Sequence, residues 1–523
     1  MVAGRGIDES ITAQGGPQPQ KVCVARRRYV ERMFASISST ALVGVEPRPV
    51  RVEVHATRGE RRIFSIVGLP DAAVREARER VVAAIASAGF RVPSQRVTVN
   101  LAPADLPKAG SAYDLPIALG VLIATGIVSA DAAGVVALGE LALDGSVRPV
   151  RGGLGAALVA RELGLPCLLA PGSATEARGV EGSDIRGVSS LLEATDVALG
   201  NSPGTMELPS TPVDDRLLPD LADVRGQQTA RRALEVAAAG GHHLLMMGPP
   251  GAGKTMLAGC LPGILPELQP DEALDVALVW AAAGRIRGRT TVPPFRQPHH
   301  TATVAAMVGG GSGVPSPGEV TLAHKGVLFL DELGEAPVRL LDALRQPLED
   351  GSVTISRRGH SMLFPSQFQL VAATNPCPCG FERDGLVGCD CTASAKARYR
   401  ARFSGPFLDR FDLRVRVERL SVAAITAPPG EGSGAVRRRV VLARDRQLHR
   451  GVLNRSLTRR QLDEQAYTSG AEALLSAAVE KMRLTARGWD RVRRVARTLA
   501  DLESSTDISG GHVTEALTYR EDL

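Results

Sequence analysis

No apolar run in the chain reaches the ~18 residues that a membrane-spanning helix needs, which excludes a helical membrane protein. A secretory pattern is also lacking, because Gly, Gln and Arg interrupt the first residues where a signal peptide would be apolar. A cytosolic location is therefore expected. Cysteine is scarce: seven residues in so long a chain do not make the disulfide framework of a secreted protein. Neither sign of charge dominates. The net charge of +6 permits an acidic partner such as nucleic acid without requiring one, and no nucleic-acid-binding module is recognisable. What remains is an ordinary globular composition, 44% hydrophobic and 23% charged. The 523 residues suffice for about three domains.

The most informative stretch is Gly248-Pro249-Pro250-Gly251-Ala252-Gly253-Lys254-Thr255, which fits the phosphate-loop pattern G-x-x-x-x-G-K-[ST]. An apolar strand, His243 to Met247, precedes it, and Met256 to Leu261 can open a helix. Glycines let backbone N–H groups close around phosphates at a helix N-terminus. Lys254 reaches the β- and γ-phosphates, and the Thr255 hydroxyl ligates Mg²⁺. A second apolar strand, Gly326 to Leu330, ends in Asp331 and Glu332. Beside the phosphate loop, Asp331 would hold Mg²⁺ and Glu332 would polarise the attacking water. ATP and Mg²⁺ are thus the expected cofactors.

Other motifs leave more than one reading open. His299 and His300 invite a metal, but adjacent histidines point different ways and no further ligand is spaced to join them. Cys377-Pro-Cys379 and Cys389-Asp-Cys391, nine residues apart, could give four thiolates to one Zn²⁺ or be four reduced structural thiols. Arg357 and Arg358, closing a strand that starts near Gly351, are candidate nucleic-acid contacts or a solvated basic turn.

Along the chain, residues 1–32 read as a disordered extension, or as sequence upstream of a natural start at Met33. Residues 33–199 mix strands and helices, with Val50 to Val54 and Arg62 to Val67 read as partner strands and helices over Asp71–Ala88 and Asp114–Ile123. Residues 200–222 form a proline-broken linker, 223–420 the ATPase core, 421–436 a flexible hinge and 437–523 a helical lid. Within the core, the glycines of 308–313 and 317–324 predict mobile loops. In the lid, Trp489, Val492, Val495, Leu499 and Leu502 form a core-facing stripe, while Arg493, Arg494 and Arg497 form a solvated or DNA-facing side.

From residue 33 onward the chain resembles the Mg-chelatase-like YifB/ComM family of AAA+ ATPases. Besides the ATPase motifs, the resemblance rests on Gly68-Leu-Pro-Asp71, Asn100-Leu-Ala-Pro103, Lys108-Ala-Gly-Ser-Ala-Tyr-Asp-Leu-Pro116 and Pro149-Val-Arg-Gly-Gly-Leu154. It implies an α/β fold: a Lon-protease-like α+β domain, a P-loop AAA+ core with a parallel sheet, and a helical C-terminal lid. Where Lon proteases have their serine and lysine, this chain has Ala112 and Gly155, and Ser111 has no obvious base. The resemblance further implies that Asn375, closing the strand Phe368 to Thr374, positions the water. Arg410 would be an arginine finger for a neighbouring subunit, or else pair with Asp409 or Asp412. Arg487 would be the lid's second sensor, with Arg491 as runner-up, and Val224 and Gln227 would lie beside the adenine or merely pack. The implied activity is ATP hydrolysis by a homo-oligomeric ring, a hexamer, acting on branched or single-stranded DNA as a helicase of natural transformation. A magnesium-chelatase motor subunit and a protein-remodelling ATPase are the alternatives.

Overall fold

A computed structural model describes residues 33–520, apart from 58–62, 69–70, 93, 107, 109, 179, 206–217, 286, 288–289, 312–314, 358–359, 385–386, 404 and 483. The extension 1–32, most of the linker 200–222, Arg358 and parts of the Gly68 and Lys108 motifs lie outside the described residues.

The first half builds on β1 (Phe34–Val43), β2 (Glu46–Thr57), β3 (Phe64–Val67), β4 (Arg96–Ala102) and β5 (Val136–Leu138). A small hairpin of β6 (Glu140–Leu141) and β7 (Val147–Arg148) follows, then β8 (Cys167–Leu169) and β9 (Ile185–Gly187). The seven-stranded sheet has the order β3-β4-β2-β1-β5-β8-β9. Alternate residues of β2, namely Val50, Val52, Val54 and Ala56, are buried, as period-two patterning requires. The apolar helix Asp114–Ala124 is wholly buried and comes so close to the sheet that a Cβ on Gly120 would lie 2.6 Å from Val54 Cγ2. The helix Ala72–Ser87 starts at Asp71, whose carboxylate accepts from Val74 N at 2.8 Å. One expected pairing is corrected: β3 does not pair with β2 but runs parallel to β4, while β2 lies antiparallel between β1 and β4.

The second half holds β10 (Leu244–Met247), β11 (Phe295–Arg296), β12 (Gly309–Gly310), β13 (Ser316–Pro317), β14 (Val327–Leu330), β15 (Ser352–Arg357), β16 (His360–Pro365), β17 (Gln369–Thr374) and β18 (Leu413–Arg416). Five of them form a parallel sheet in the order β11-β14-β17-β10-β18. The interior strands β10, β14 and β17 are buried on both faces, as covered parallel sheets are, while the edge strand β11 is half-buried. Leu244 and Met246 join the core with the helices Gln228–Gly240, Lys254–Ile264 and Ala486–Leu502, whereas Leu245, Leu328 and Leu370 face the opposite core with Leu340 and Phe364. The strand of the acidic pair, β14, is not the direct neighbour of β10, because β17 lies between them. Within the glycine-rich stretch, two short strands meet. β12 and β13 pair antiparallel, and Gly318 approaches so closely that a Cβ would lie 2.4 Å from Gly309 N.

The stretch 421–436 contains a helical turn, Val422–Ile425, and the start of the helix Ser433–His449. The expected apolar stripe packs inward, with Val492, Val495 and Leu499 fully buried. Two of the three arginines behind it are not solvated, and Arg494 is half-buried. Arg493 and Arg497 are buried, bonded to Asp463, Tyr467 and Asp501, and Arg494 donates to Leu457 O at 2.9 Å. A buried polar network ties this helix to the core. His242 lies 3.1 Å from Asp412 and 2.8 Å from Thr498, and Asn454 donates to Thr498 and to Asp501. Burial alone would raise the Asp412 carboxyl. The hydrogen bond with His242 and the charges of His242, His243 and Arg455 outweigh it and hold Asp412 well below the carboxylate range. A depressed carboxyl stabilises fully above its unfolded value of about 4, and that stabilisation is lost as the pH falls below it. Asp412→Ala should therefore cost about 3–5 kcal/mol at neutral pH and flatten the acid limb of stability. Denaturant melts of both proteins between neutral and acid pH check this, and an unchanged midpoint would refute it.

Candidate functional site

The phosphate loop leaves β10 at Met247 and enters the helix Lys254–Ile264. Gly251 and Gly253 take φ of 75° and 89°, in the left-handed region where a Cβ is penalised. Their turn leaves the first amides of the helix free to meet an anion. Lys254 Nζ donates to Gly248 O at 2.7 Å, to Pro249 O at 2.9 Å and to Asn375 Oδ1 at 3.2 Å. Burial lowers the Lys254 pKa, while Asp331 and Glu332 pull it back up. Thr255 Oγ1 donates to Asp331 Oδ2 at 2.7 Å, so a hydroxyl and a carboxylate suited to Mg²⁺ already adjoin. The structure thus brings Lys254, Thr255, Asp331 and Asn375 together.

Glu332 follows with φ of 48°, a conformation rare for a residue with a Cβ and typical of functional sites. Its carboxylate Oε2 is 2.9 Å from His300 Nδ1. His300 is thus a partner of the acidic pair, a role that its spacing in sequence gave no sign of. His299 bonds Thr301 at 2.8 Å, and among the described residues neither histidine joins a cluster of three or more metal-type ligands. Gln227 also reaches the loop, donating to Ala252 O at 3.2 Å and to Glu418 O at 2.6 Å. It borders a cleft of about 480 Å³ between Gly226–Thr229, Val415–Ser421 and Thr518. Val224 is buried in the core.

Arg410 lies away from these groups in partner terms. It pairs with Glu349, not with Asp409 or Asp412. Those two aspartates lie 3.2 and 3.8 Å from Arg491, which is buried. Burial, then the charges of Arg487, Arg491 and Arg345, push the Arg410 pKa below the guanidinium value. Its Nε is buried without a hydrogen-bond partner among the described residues. Arg487 stands exposed in the first turn of the helix Ala486–Leu502.

The four cysteines converge. Cys377, Cys379, Cys389 and Cys391 place their sulfurs within 4.8 Å of one another, and none is in a disulfide. The Phe381 amide holds the Cys379 thiol down, at about 6. Next to this cluster, Tyr399 of the basic helix Ala393–Arg400 is buried, its hydroxyl 3.1 Å from Thr374 Oγ1.

In the first half, Gly155 sits inside the helix Gly153–Leu163 with Pro47 and Leu42 against it. Ser111 donates to Glu140, so it does have an acidic partner that the sequence did not reveal. Lys108 is buried and donates to Pro103 O.

Three family models match the chain: magnesium chelatase subunit ChlI over residues 220–425, subunit ChlI of Mg-chelatase over 52–173, and the magnesium chelatase subunit ChlI C-terminal region over 430–520. YifB of Escherichia coli K12 is 41% identical over 491 residues, covering 92% of this chain and 96% of the relative. Competence protein ComM of Haemophilus influenzae is 41% identical over 503 residues, covering 93% and 97%. Lon protease 2 of Bacillus subtilis is 30% identical over 197 residues, covering 32% of this chain and 35% of the relative.

A serine needs an activating base to attack a peptide, and neither a carboxylate partner nor an amine spent on a carbonyl supplies the Lon pattern. A serine-directed phosphonate should leave Ser111 unlabelled in mass spectra of the treated protein, and an adduct on Ser111 would reverse that assignment.

Proposed function

The chain belongs to the magnesium-chelatase-like family of AAA+-type ATPases that includes YifB and ComM, and on that premise we propose that it hydrolyses ATP as a hexameric ring that moves on DNA. The observation that supports this most is the gathering of Lys254, Thr255, Asp331, Glu332 and Asn375 beyond the C-terminal ends of the interior strands β10, β14 and β17, with Arg410 paired elsewhere. In this reading the loop 248–255 wraps the phosphates and the base enters the cleft beside Gln227. Thr255 and Asp331 would hold Mg²⁺, which would supply neutralising charge at the phosphate oxygens. Asn375 holds the attacking water, and Glu332 takes its proton. His300 Nδ1, 2.9 Å from Glu332 Oε2, holds that carboxylate in place.

Arg410 completes a neighbour's site. The Arg410 Nε, buried without a hydrogen-bond partner among the described residues and close to Arg487, supports this, with Glu349 as the partner that an incoming anion would displace. Arg487 then faces the same phosphate as Arg410. The similarity to ComM, a competence protein, supports DNA as the polymer. The chelatase descriptions of the matching families support a second reading, a motor for metal insertion. The four-thiol cluster is a candidate for Zn²⁺ beside ATP and Mg²⁺.

ATPase rates of the wild-type protein with and without forked or four-way DNA separate the two readings, since stimulation by DNA supports the first and indifference the second. For the ring, Arg410→Ala should bind ATP but lose about 10³–10⁵ in rate. Mixed with Glu332→Gln, it should recover part of the activity, because some interfaces regain both wild-type groups. No recovery, with mixed rings present in native mass spectra, would confine Arg410 to its own subunit.

A further inference from the structure

The four cysteines take no part in the chemistry above, yet among the described residues they form the one cluster of three or more metal-type ligands. Cysteine used only for packing behaves as a small hydrophobe and goes inside. Cys377 does so, but Cys379, Cys389 and Cys391 remain partly exposed. Sulfurs drawn together at a half-exposed site need another reason to converge. The distances supply one. Cys377 Sγ is 3.4 Å from Cys379 Sγ and 3.7 Å from Cys389 Sγ, and Cys379 Sγ is 3.6 Å from Cys389 Sγ. Four thiolates at ~2.3 Å around a tetrahedral Zn²⁺ are ~3.8 Å apart. The Cys379 amide donates to Cys391 Sγ at 3.4 Å, and Lys396 reaches Cys389 and Glu382, adding positive charge beside the sulfurs. All-sulfur tetrahedral sites favour Zn²⁺ among the common divalent ions.

The loop carrying these sulfurs rests on the phosphate loop. A Cβ on Gly380 would lie 2.6 Å from Pro250 Cδ and 3.6 Å from Asn375 Cγ, and Gly380 has φ of 84°. Cys377 follows Asn375 by two residues, and Asn375 accepts from Lys254. The position of the knuckle therefore sets both Pro250 and the amide that meets Lys254.

We propose that Cys377, Cys379, Cys389 and Cys391 bind one Zn²⁺ as thiolates, and that this ion holds Gly380 against Pro250 so that nucleotide affinity depends on metal occupancy. Each thiol that coordinates loses its proton to solvent, and no oxidant or reductant takes part. The second half of the proposal rests on residues 248–255 being the nucleotide site; the first half does not.

The test uses the full chain purified without chelator. Elemental analysis should find about one zinc per chain, and replacement by Co²⁺ should give the absorption of a tetrahedral tetrathiolate. Removing zinc with a thiol-reactive mercurial and a chelator, then reducing, should weaken binding of a fluorescent ATP analogue by about 10-fold or more, and returning Zn²⁺ should restore it. Gly380→Ala keeps every ligand, so it should retain zinc and still bind nucleotide more weakly. It reads the coupling even where a cysteine variant fails to fold. A zinc content near zero, with no cobalt spectrum on reconstitution, would overturn the metal site. Full zinc with nucleotide affinity unchanged by its removal, and unchanged in Gly380→Ala, would overturn the coupling. Zinc-loaded wild-type protein that binds no nucleotide would uphold the metal site and count against the nucleotide site alone.

Discussion

The close approach of two backbones at Gly248 is the constraint on which the site depends. A Cβ there would lie 2.0 Å from Val417 O, so β10 can turn into the phosphate loop only with the chain beyond β18 drawn up against it. Val417 N donates to Met247 O at 2.8 Å, and Gly248 N donates to Thr374 O at 3.2 Å, which pins the turn between its two neighbours. The rest follows from strand order. β17 ends beside β10 and delivers Asn375, and β14, one strand further, delivers Asp331 and Glu332. β18 starts directly after Asp412, so the strand that confines the phosphate loop also anchors the segment of Arg410.

A second constraint joins core to lid. Buried polar groups destabilise unless they are partnered, and His242, Asp412, Thr498, Asn454 and Asp501 partner one another across that boundary. Arg491 extends the connection to Asp409 and Asp412, on either side of Arg410. Arg487 lies one helical turn before Arg491. This helix and the Arg410 segment are therefore joined by buried polar contacts. In the proposed ring, a displacement of the lid in one subunit would then shift the guanidinium offered to the next.

Local chemistry was legible in the sequence, and long-range pairing was not. The phosphate loop and the acidic pair are patterns of a few residues, and in the structure Thr255 Oγ1 lies 2.7 Å from Asp331 Oδ2. β1, rich in Ser, Ala and Thr, shows little hydrophobic contrast, so its sequence does not mark it as the antiparallel partner of β2, and alternation alone pairs β2 with β3 instead. The interposition of β17 is a matter of topology that no local pattern encodes. Arg493 looks solvated along the helix, because its partners Asp463 and Tyr467 meet it only after folding, whereas Arg497 pairs with Asp501 four positions on in the same helix and is buried by the packing around them. His300 and Glu332 are 32 positions apart in the chain, and only the fold shows that they touch. The cysteines were legible as a spacing, but their convergence and the contact of Gly380 with Pro250 needed coordinates.

Glu332→Gln bears on the nucleotide site most directly. The carboxamide keeps the shape of the side chain and loses the proton acceptor. Equilibrium binding of a fluorescent ATP analogue with Mg²⁺ should stay close to wild type, while single-turnover hydrolysis of labelled ATP should fall by about 10²–10⁴-fold. Hydrolysis at the wild-type rate would contradict the assignment of Glu332 as the base and, with it, this account of the site.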